Sequence, residues 1–259
     1  MRFCSLGSGS GGNATLIEAS QGITSTRLLV DAGFSMRKLV RRLARAGCEP
    51  GDVDALFITH EHGDHIGCAL AFATRFRVPL IMSRGTWRAV GQAGFDAELL
   101  RIARDGEPLA LGDLALQPFA VPHDANEPLQ LTLHDGARRL GIVTDLGCAP
   151  ADVATALAGC HALLLECNHD EAMLRAGRYP PWLQKRILGS HGHLSNTAAA
   201  DLLARCRHNG LAAVAAAHLS EQHNAPALVR ATLSAVLGCG DADIRVADPK
   251  LGLDWLALN

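Results

Sequence analysis

No stretch of the chain offers the roughly 20 continuous apolar residues of a membrane span. Met1-Arg2-Phe3-Cys4-Ser5-Leu6 runs into glycines without the apolar segment of a secretory signal. The expectation is a cytoplasmic protein with no membrane partner. Paired cysteine motifs of the C-x-x-C kind are also absent. The eight cysteines (Cys4, Cys48, Cys68, Cys148, Cys160, Cys167, Cys206 and Cys239) are scattered, and they read as reduced and mostly buried thiols rather than disulfide staples. Neither sign of charge is in excess, since 24 Lys and Arg stand against 26 Asp and Glu, so a nucleic-acid surface has to be a local patch. Aromatic residues are scarce at 4%. Trp87, Trp182 and Tyr179 therefore read first as core or loop anchors, and only second as platforms for bases. The glycine-rich segment Gly7 to Asn13 lacks the Gly-Lys-Ser/Thr ending of a phosphate-binding loop and reads as a hairpin turn.

Apolar residues, in contrast, are ample at 48% of 259 positions. Short runs of Val, Ile, Leu and Phe alternate with amphipathic or Ala-rich segments, as in a mixed α/β protein, here read as one domain over 1–259. Opening strands are expected at Phe3 to Leu6, Thr15 to Glu18 and Arg27 to Asp31. A helix follows from Ser35 to Ala46, with Ser35 as N-cap and Gly47 just past its end. Its Arg37, Lys38, Arg41, Arg42 and Arg45 make the most basic local surface, which is either a solvated face or a track for a DNA backbone. Further helices are expected at Thr86 to Ala93, Pro150 to Ala158, Thr197 to His208 and Pro226 to Leu237.

Five apolar runs each end on a residue able to bind metal or substrate: Ala55 to His60, Phe119 to His123, Leu140 to Asp145, Leu163 to Asn168, and Leu211 to His218. Strand tips lying side by side bring such residues together from far apart in sequence. The last run is Ala-rich and helical by propensity alone. The first leads into His60-Glu61-His62-Gly63-Asp64-His65. Three imidazoles and a carboxylate crowd together at little cost only around a cation, because protonated histidines repel one another. The order is not H-E-x-x-H, since Asp64 stands four residues after His60.

This motif resembles that of the metallo-β-lactamase-fold hydrolases, which add a later His, a later Asp and a final His; His123, Asp145 and His218 occur here in that order. The resemblance implies an αββα sandwich of two mixed β-sheets flanked by helices, with two divalent metal ions. His60, His62 and His123 would hold one, Asp64, His65 and His218 the other, and Asp145 would bridge them. Aspartate rather than cysteine at the bridging position points to the glyoxalase-like and nuclease-like branches. Phe3 to Asn13, Pro122-His123-Asp124-Ala125, Glu166-Cys167-Asn168-His169-Asp170, Gly192-His193-Leu194-Ser195-Asn196 and His218-Leu219-Ser220 then make the chain similar, almost end to end, to the YycJ/WalJ (VicX-like) branch. That similarity implies a metal-dependent exonuclease acting on DNA from 5′ ends and connected with DNA repair. The chain departs from the branch pattern at Asn126-Glu127-Pro128-Leu129-Gln130 and at Glu221-Gln222-His223-Asn224.

Imidazole and carboxylate donors suit Zn, Mn or Fe, with no preference for a thiolate metal. Two such ions serve phosphodiester, thioester and lactone hydrolysis almost equally well. A glyoxalase II-like small-molecule hydrolase and a non-catalytic metal- or nucleic-acid-binding module are therefore the competing readings. DNA, or RNA, is the expected partner, and neither a flavin nor a nucleotide cofactor is expected. Catalytic roles fall to Asp64 and His193, and substrate contacts to Asn168, Ser195, Asn196, Arg41 and Arg42. The placement of Gly192 to Asn196 just before a helix would let free backbone N–H groups meet a phosphate, or would simply cap the helix. Glu166, Asn168, His169 and Asp170 are expected to border the site or orient its ligands from behind.

Overall fold

The computed structural model describes residues 1–258. Strands β1 (Arg2–Gly7), β2 (Ala14–Gln21) and β3 (Thr24–Val30) form a meander. Helix α1 (Met36–Arg45) leads to β4 (Ala55–Phe57), α2 (Gly63–Ile66) and α3 (Ala69–Phe76) to β5 (Leu80–Ser83), and α4 (Arg84–Val90) to β6 (Leu100–Ala103). A second meander, β7 (Leu109–Leu111), β8 (Leu114–Ala120) and β9 (Leu129–His134), continues into β10 (Arg139–Val143), α5 (Ala151–Leu157) and β11 (Ala162–Glu166). Helices α6 (Glu171–Ala176), α7 (Pro181–Ile187) and α8 (Asn196–Cys206) precede β12 (Ala213–Ala217), and α9 (Pro226–Leu237) precedes β13 (Arg245–Val246). Finally β14 (Leu253–Ala257) returns to pair with β1.

The strand order is β14-β1-β2-β3-β4-β5-β6 in one seven-stranded sheet and β13-β12-β11-β10-β9-β8-β7 in the other. Both follow one plan. Tight turns make the meanders antiparallel, and pairing becomes parallel from β3 to β6 and from β10 to β13, where longer crossovers carry the chain back. The inner faces bury Phe3, Ile17, Leu28 and Phe57 against Leu116, Leu131, Leu140 and Leu164. On the outer faces, Leu39, Leu43 and Phe72 cover Leu29 and Leu56, while Val153, Leu203 and Val229 cover Leu163, Leu165 and Val214. Strands covered on both sides read as unbroken apolar runs, as in Leu28-Leu29-Val30 and Ala162 to Leu165. The αββα sandwich expected from the resemblance is thus the observed architecture.

The expected helices all form, with shifted ends: α4 runs from Arg84 to Val90 rather than from Thr86 to Ala93, and α8 from Asn196 to Cys206. Ser35 is the N-cap of α1, but its side chain makes no capping bond. Within the Leu211 to His218 run, Ala213–Ala217 forms the strand β12 in spite of its alanines, because pairing with β11 and β13 on either side outweighs helix propensity. The end of β8 was expected from the Phe119 to His123 run, whereas strands β5, β7 and β9 and helices α3, α6 and α7 carried no expectation from sequence.

Candidate metal centre and active site

The ends of β4, β8, β10 and β12 lead directly to His60, His123, Asp145 and His218, and α2 adds Asp64 and His65. Among the described residues four overlapping groups result: His60, His62 and His123; Asp64, His65 and His218; His60, His65 and Asp145; and Asp145, Glu166, His193 and His218. Within each group the ligand-capable atoms lie within 4.8 Å of one another. All seven residues implied by the resemblance converge, and Asp145 sits between the two triads, with its carboxylate 3.1 Å from His65 Nε2 and 3.5 Å from His218 Nε2. His60 Nε2 is buried and has no hydrogen-bond partner, and Asp145 Oδ2 is buried with His65 Nε2 as its near neighbour. An orphaned buried polar atom is costly. Both atoms face a set of imidazole and carboxylate donors, so the residues fit divalent cations.

Each imidazole is fixed through Nδ1 or held by a neighbour. His123 Nδ1 donates to the Gly192 carbonyl at 3.1 Å, and His65 Nδ1 donates to Asp31 Oδ2 at 2.8 Å. His218 Nδ1 and His193 Nδ1 share Glu166 Oε1, at 3.2 and 2.8 Å, while Glu166 Oε2 accepts from the Leu146 and Leu194 amides. This leaves Nε2 of His65, His123, His193 and His218 for the site. Burial opposes charge on every one of these rings, and the local carboxylates decide where it loses. His60 is held well below the usual histidine range by desolvation, and His123 is lowered for the same reason. At His218 the Asp145, Asp64 and Glu166 carboxylates overcome burial and raise the pKa to about 10, and Asp145 and Asp31 raise His65 well above its ordinary value. Burial would push the Glu166 carboxyl up, but His193 and His218 bring it down to about 2.

The site opens into a cavity of about 400 Å³ lined by His62, Asp64, Asp145, His193, Tyr179 and Arg186, among others. Asn168 also lines it, and its side chain donates to the His218 carbonyl at 2.9 Å. Four residues expected to contact substrate are engaged differently or face elsewhere. Ser195 Oγ accepts from the Ala198 amide as the N-cap of α8 and donates to Glu171, and the Asn196 and Asn224 amides bond each other reciprocally at 2.8–2.9 Å. The Gly192 to Asn196 string is therefore a capping segment in which only His193 and Gly192 reach the cavity. Arg42 turns back onto the Leu6 and Pro249 carbonyls and lies over the Phe34 ring, 4.2 Å from its centroid. Its charge holds α1 against the loops beside it. Arg41 is exposed, and neither arginine lines the cavity. Asp170 caps α6 through the Met173 amide, and His169 is buried with both ring nitrogens unpartnered.

Two features escaped the sequence reading. The Gly7 to Asn13 loop is a support for the site: Asn13 Nδ2 lies 3.0 Å from His65 Nε2 and 3.4 Å from Asp64 Oδ2, and Ser8 Oγ accepts from the His218 amide. Asp31, at the end of β3, receives the Thr59 amide and hydroxyl as well as His65. Among the described non-glycine residues with positive φ, Asp31 (63°), Asp145 (57°) and His218 (55°) belong to the site, and Arg77 is the fourth. Strain of that kind is tolerated where surrounding contacts over-determine the backbone. The loops also touch closely, since a Cβ on Gly33 would stand 1.7 Å from the Asp64 carbonyl oxygen.

Residues 26–217 match the family model described as a beta-lactamase superfamily domain. The chain is 34% identical over 261 aligned positions to Exodeoxyribonuclease YycJ of Bacillus anthracis, covering 97% of each protein. It is 32% identical to Exodeoxyribonuclease WalJ of Streptococcus pneumoniae, over 95% of this chain and 91% of that one. Among solved structures, the metallo-beta-lactamase fold protein YhfI from Bacillus subtilis superposes with a TM-score of 0.73 at 14% identity, covering 98% of both chains. The chain belongs to the beta-lactamase superfamily, has the metallo-β-lactamase fold, and falls in the family of the YycJ and WalJ proteins.

Proposed function

We propose that this protein is a metal-dependent DNA exonuclease working from 5′ ends, with its reaction centre at the junction of the two triads. The observation that carries this reading is the convergence of buried donor sets around the unpartnered His60 Nε2 and the buried Asp145 carboxylate, opening onto a cavity bordered by His193. The end-to-end similarity to two proteins named exodeoxyribonucleases supports a DNA substrate and a single domain over 1–259. His60, His62 and His123 would hold one divalent cation, Asp64, His65 and His218 a second, and Asp145 would reach both; Zn, Mn and Fe all suit these donors. Two such cations, when bound, supply positive charge that lowers the pKa of water toward neutrality and stabilises charge growing on a phosphoryl oxygen.

The chain's own groups handle the protons. Burial raises the Asp64 carboxyl, yet its hydrogen bond with His218 and the charge of His65 keep it below its ordinary value. Asp64 is therefore ionised in the cavity wall and placed to accept a proton from the attacking water. Burial disfavours a charged His193, but Glu166 at 2.8 Å raises its pKa. With Nδ1 tied to that carboxylate, Nε2 donates its proton to the leaving sugar oxygen. The test is incubation of an end-labelled, 5′-phosphorylated DNA duplex with Mn²⁺, with Asp64→Ala and His193→Ala proteins and a panel of thioesters and lactones alongside. Stepwise shortening by the parent protein, abolished by Asp64→Ala and slowed about 100-fold or more by His193→Ala, is the expected result. Intact DNA with turnover of a thioester or lactone would overturn the reading.

A further inference from the structure

Between Glu171 and Asp201 the sequence holds Arg175, Arg178, Lys185 and Arg186 and no acidic residue. In a chain of net charge −2 this is a local reversal of sign, and the fold places Arg186 on the cavity wall with Arg175, Arg178 and Lys185 exposed on the same segment. Tyr179, Leu183, Arg186 and Ile187 line the cavity wall. Arg175 pairs with Glu171 and Arg186 with Asp124, whereas Arg178 and Lys185 are exposed and form no ion pair among the described residues. Trp182 stands beside them with 66% of its surface open to solvent, unlike the half-buried Trp87 and Trp255. An indole left in water, in a chain with so few aromatics, does no packing there.

The platform is held firmly. Gln184 donates to the Gly177 and Tyr179 carbonyls, Arg186 bonds Asp124 at 2.6 Å, and the His193 amide donates to the Ile187 carbonyl. The Tyr179 ring rests edge-on against buried His223, 4.2 Å between centroids. On α7, Trp182 lies four residues before the cavity-lining Arg186, so these two share a face that continues from the cavity wall onto the surface, and Lys185 flanks Trp182 three residues on.

Building on the nuclease reading, we propose that the α6–α7 segment is the track for the retained DNA strand: Trp182 stacks on an unpaired base, and Arg178 and Lys185 contact its phosphates. Four residues of helix separate Trp182 from Arg186 by about 6 Å along the axis, so a base stacked on Trp182 lies outside the cavity wall. A 5′ exonuclease that releases mononucleotides leaves nothing that far out on the departing side, so the stacked base belongs to the retained strand. Stacking on an indole needs a base freed from its partner, so the track fits single-stranded rather than paired ends.

The experiment is fluorescence titration of the Mn²⁺-loaded protein with a 5′-phosphorylated single-stranded 12-mer, monitored through the indoles and repeated across salt concentrations. Trp182→Ala is expected to weaken binding about tenfold and to remove most of the quenching, with Trp182→Phe restoring most of the affinity. Arg178→Glu with Lys185→Glu is expected to flatten the salt slope by about 0.7 for each phosphate no longer neutralised. Unchanged affinity and salt slope in these variants, while the parent protein binds and shortens the strand, would overturn the track and leave the nuclease reading standing. A parent protein that neither binds nor shortens any oligonucleotide would remove the nuclease reading, and the track with it.

Discussion

His60 and His123 are lowered in pKa while His65 and His218 are raised, so the two triads meet a cation in different protonation states. His60 and His123 offer neutral nitrogens. The Asp64, His65 and His218 group has to shed protons first, and metal competes with protons for those sites. The first cation is therefore expected to enter the three-histidine group with little proton release. The second should release more than one proton, with an apparent affinity that climbs as pH rises toward 10. Calorimetric titration in two buffers of different ionisation enthalpy measures both; equal proton release in the two steps would contradict the assignment. In the metal-free protein the same groups set a pH profile. His218, raised from 6.5 to about 10, contributes stability that is complete below pH 6.5 and is lost as pH rises toward 10. Glu166, lowered from 4.5 to about 2, contributes stability that is complete above pH 4.5 and is lost as pH falls toward 2.

At the scale of elements, the basic helix α1 is engaged by its own protein in a way that its composition alone does not show. Helix α1 carries most charge in the sequence, yet its Arg42 is consumed by two carbonyls and an aromatic ring, and Arg45 by the Leu251 carbonyl. Arg42→Ala is expected to cost about 1–2 kcal/mol of stability through the charge-assisted bonds it removes, visible as a fall of a few degrees in Tm, with affinity for single-stranded DNA unchanged. A drop in DNA affinity at unchanged Tm would return α1 to the substrate surface. Helix α7 has no buried residue and would rank low on any count of core positions. Its place against the cavity comes from the loop after β8, through Asp124, and from the segment that carries His193.

Over the whole molecule, the site is a seam between the two sheets. His60, His62, Asp64 and His65 follow β4 of one sheet, and His123, Asp145 and His218 follow β8, β10 and β12 of the other. Any cation held by them ties the two halves together and favours the folded state by mass action. With free metal at about 100 times its dissociation constant this linkage is worth about 2.7 kcal/mol, so chelation is expected to lower Tm by roughly 5–10 °C. Differential scanning calorimetry with and without chelator checks this, and an unchanged Tm would mean that the seam binds no cation in solution.

The sequence by itself determined the metal motif, the strand tips that deliver its ligands, and through the longer strings the family. These are local signals: imidazoles packed within six residues, and apolar runs that end on His or Asp. Asp31 and Asn13 gained their roles only in the tertiary structure, and Glu166, expected from sequence to border the site or orient its ligands, gained its particular partners there. Asp31 meets His65 across 34 residues, Asn13 meets it across 52, and Glu166 meets His218 across 52. No period or spacing in a single chain encodes such pairings, nor the left-handed backbone at Asp31, Asp145 and His218, which the crossing of loops imposes. The same holds for basic charge: its amount is written in the sequence, but which arginines are spent on carbonyls and which stay free was decided by packing.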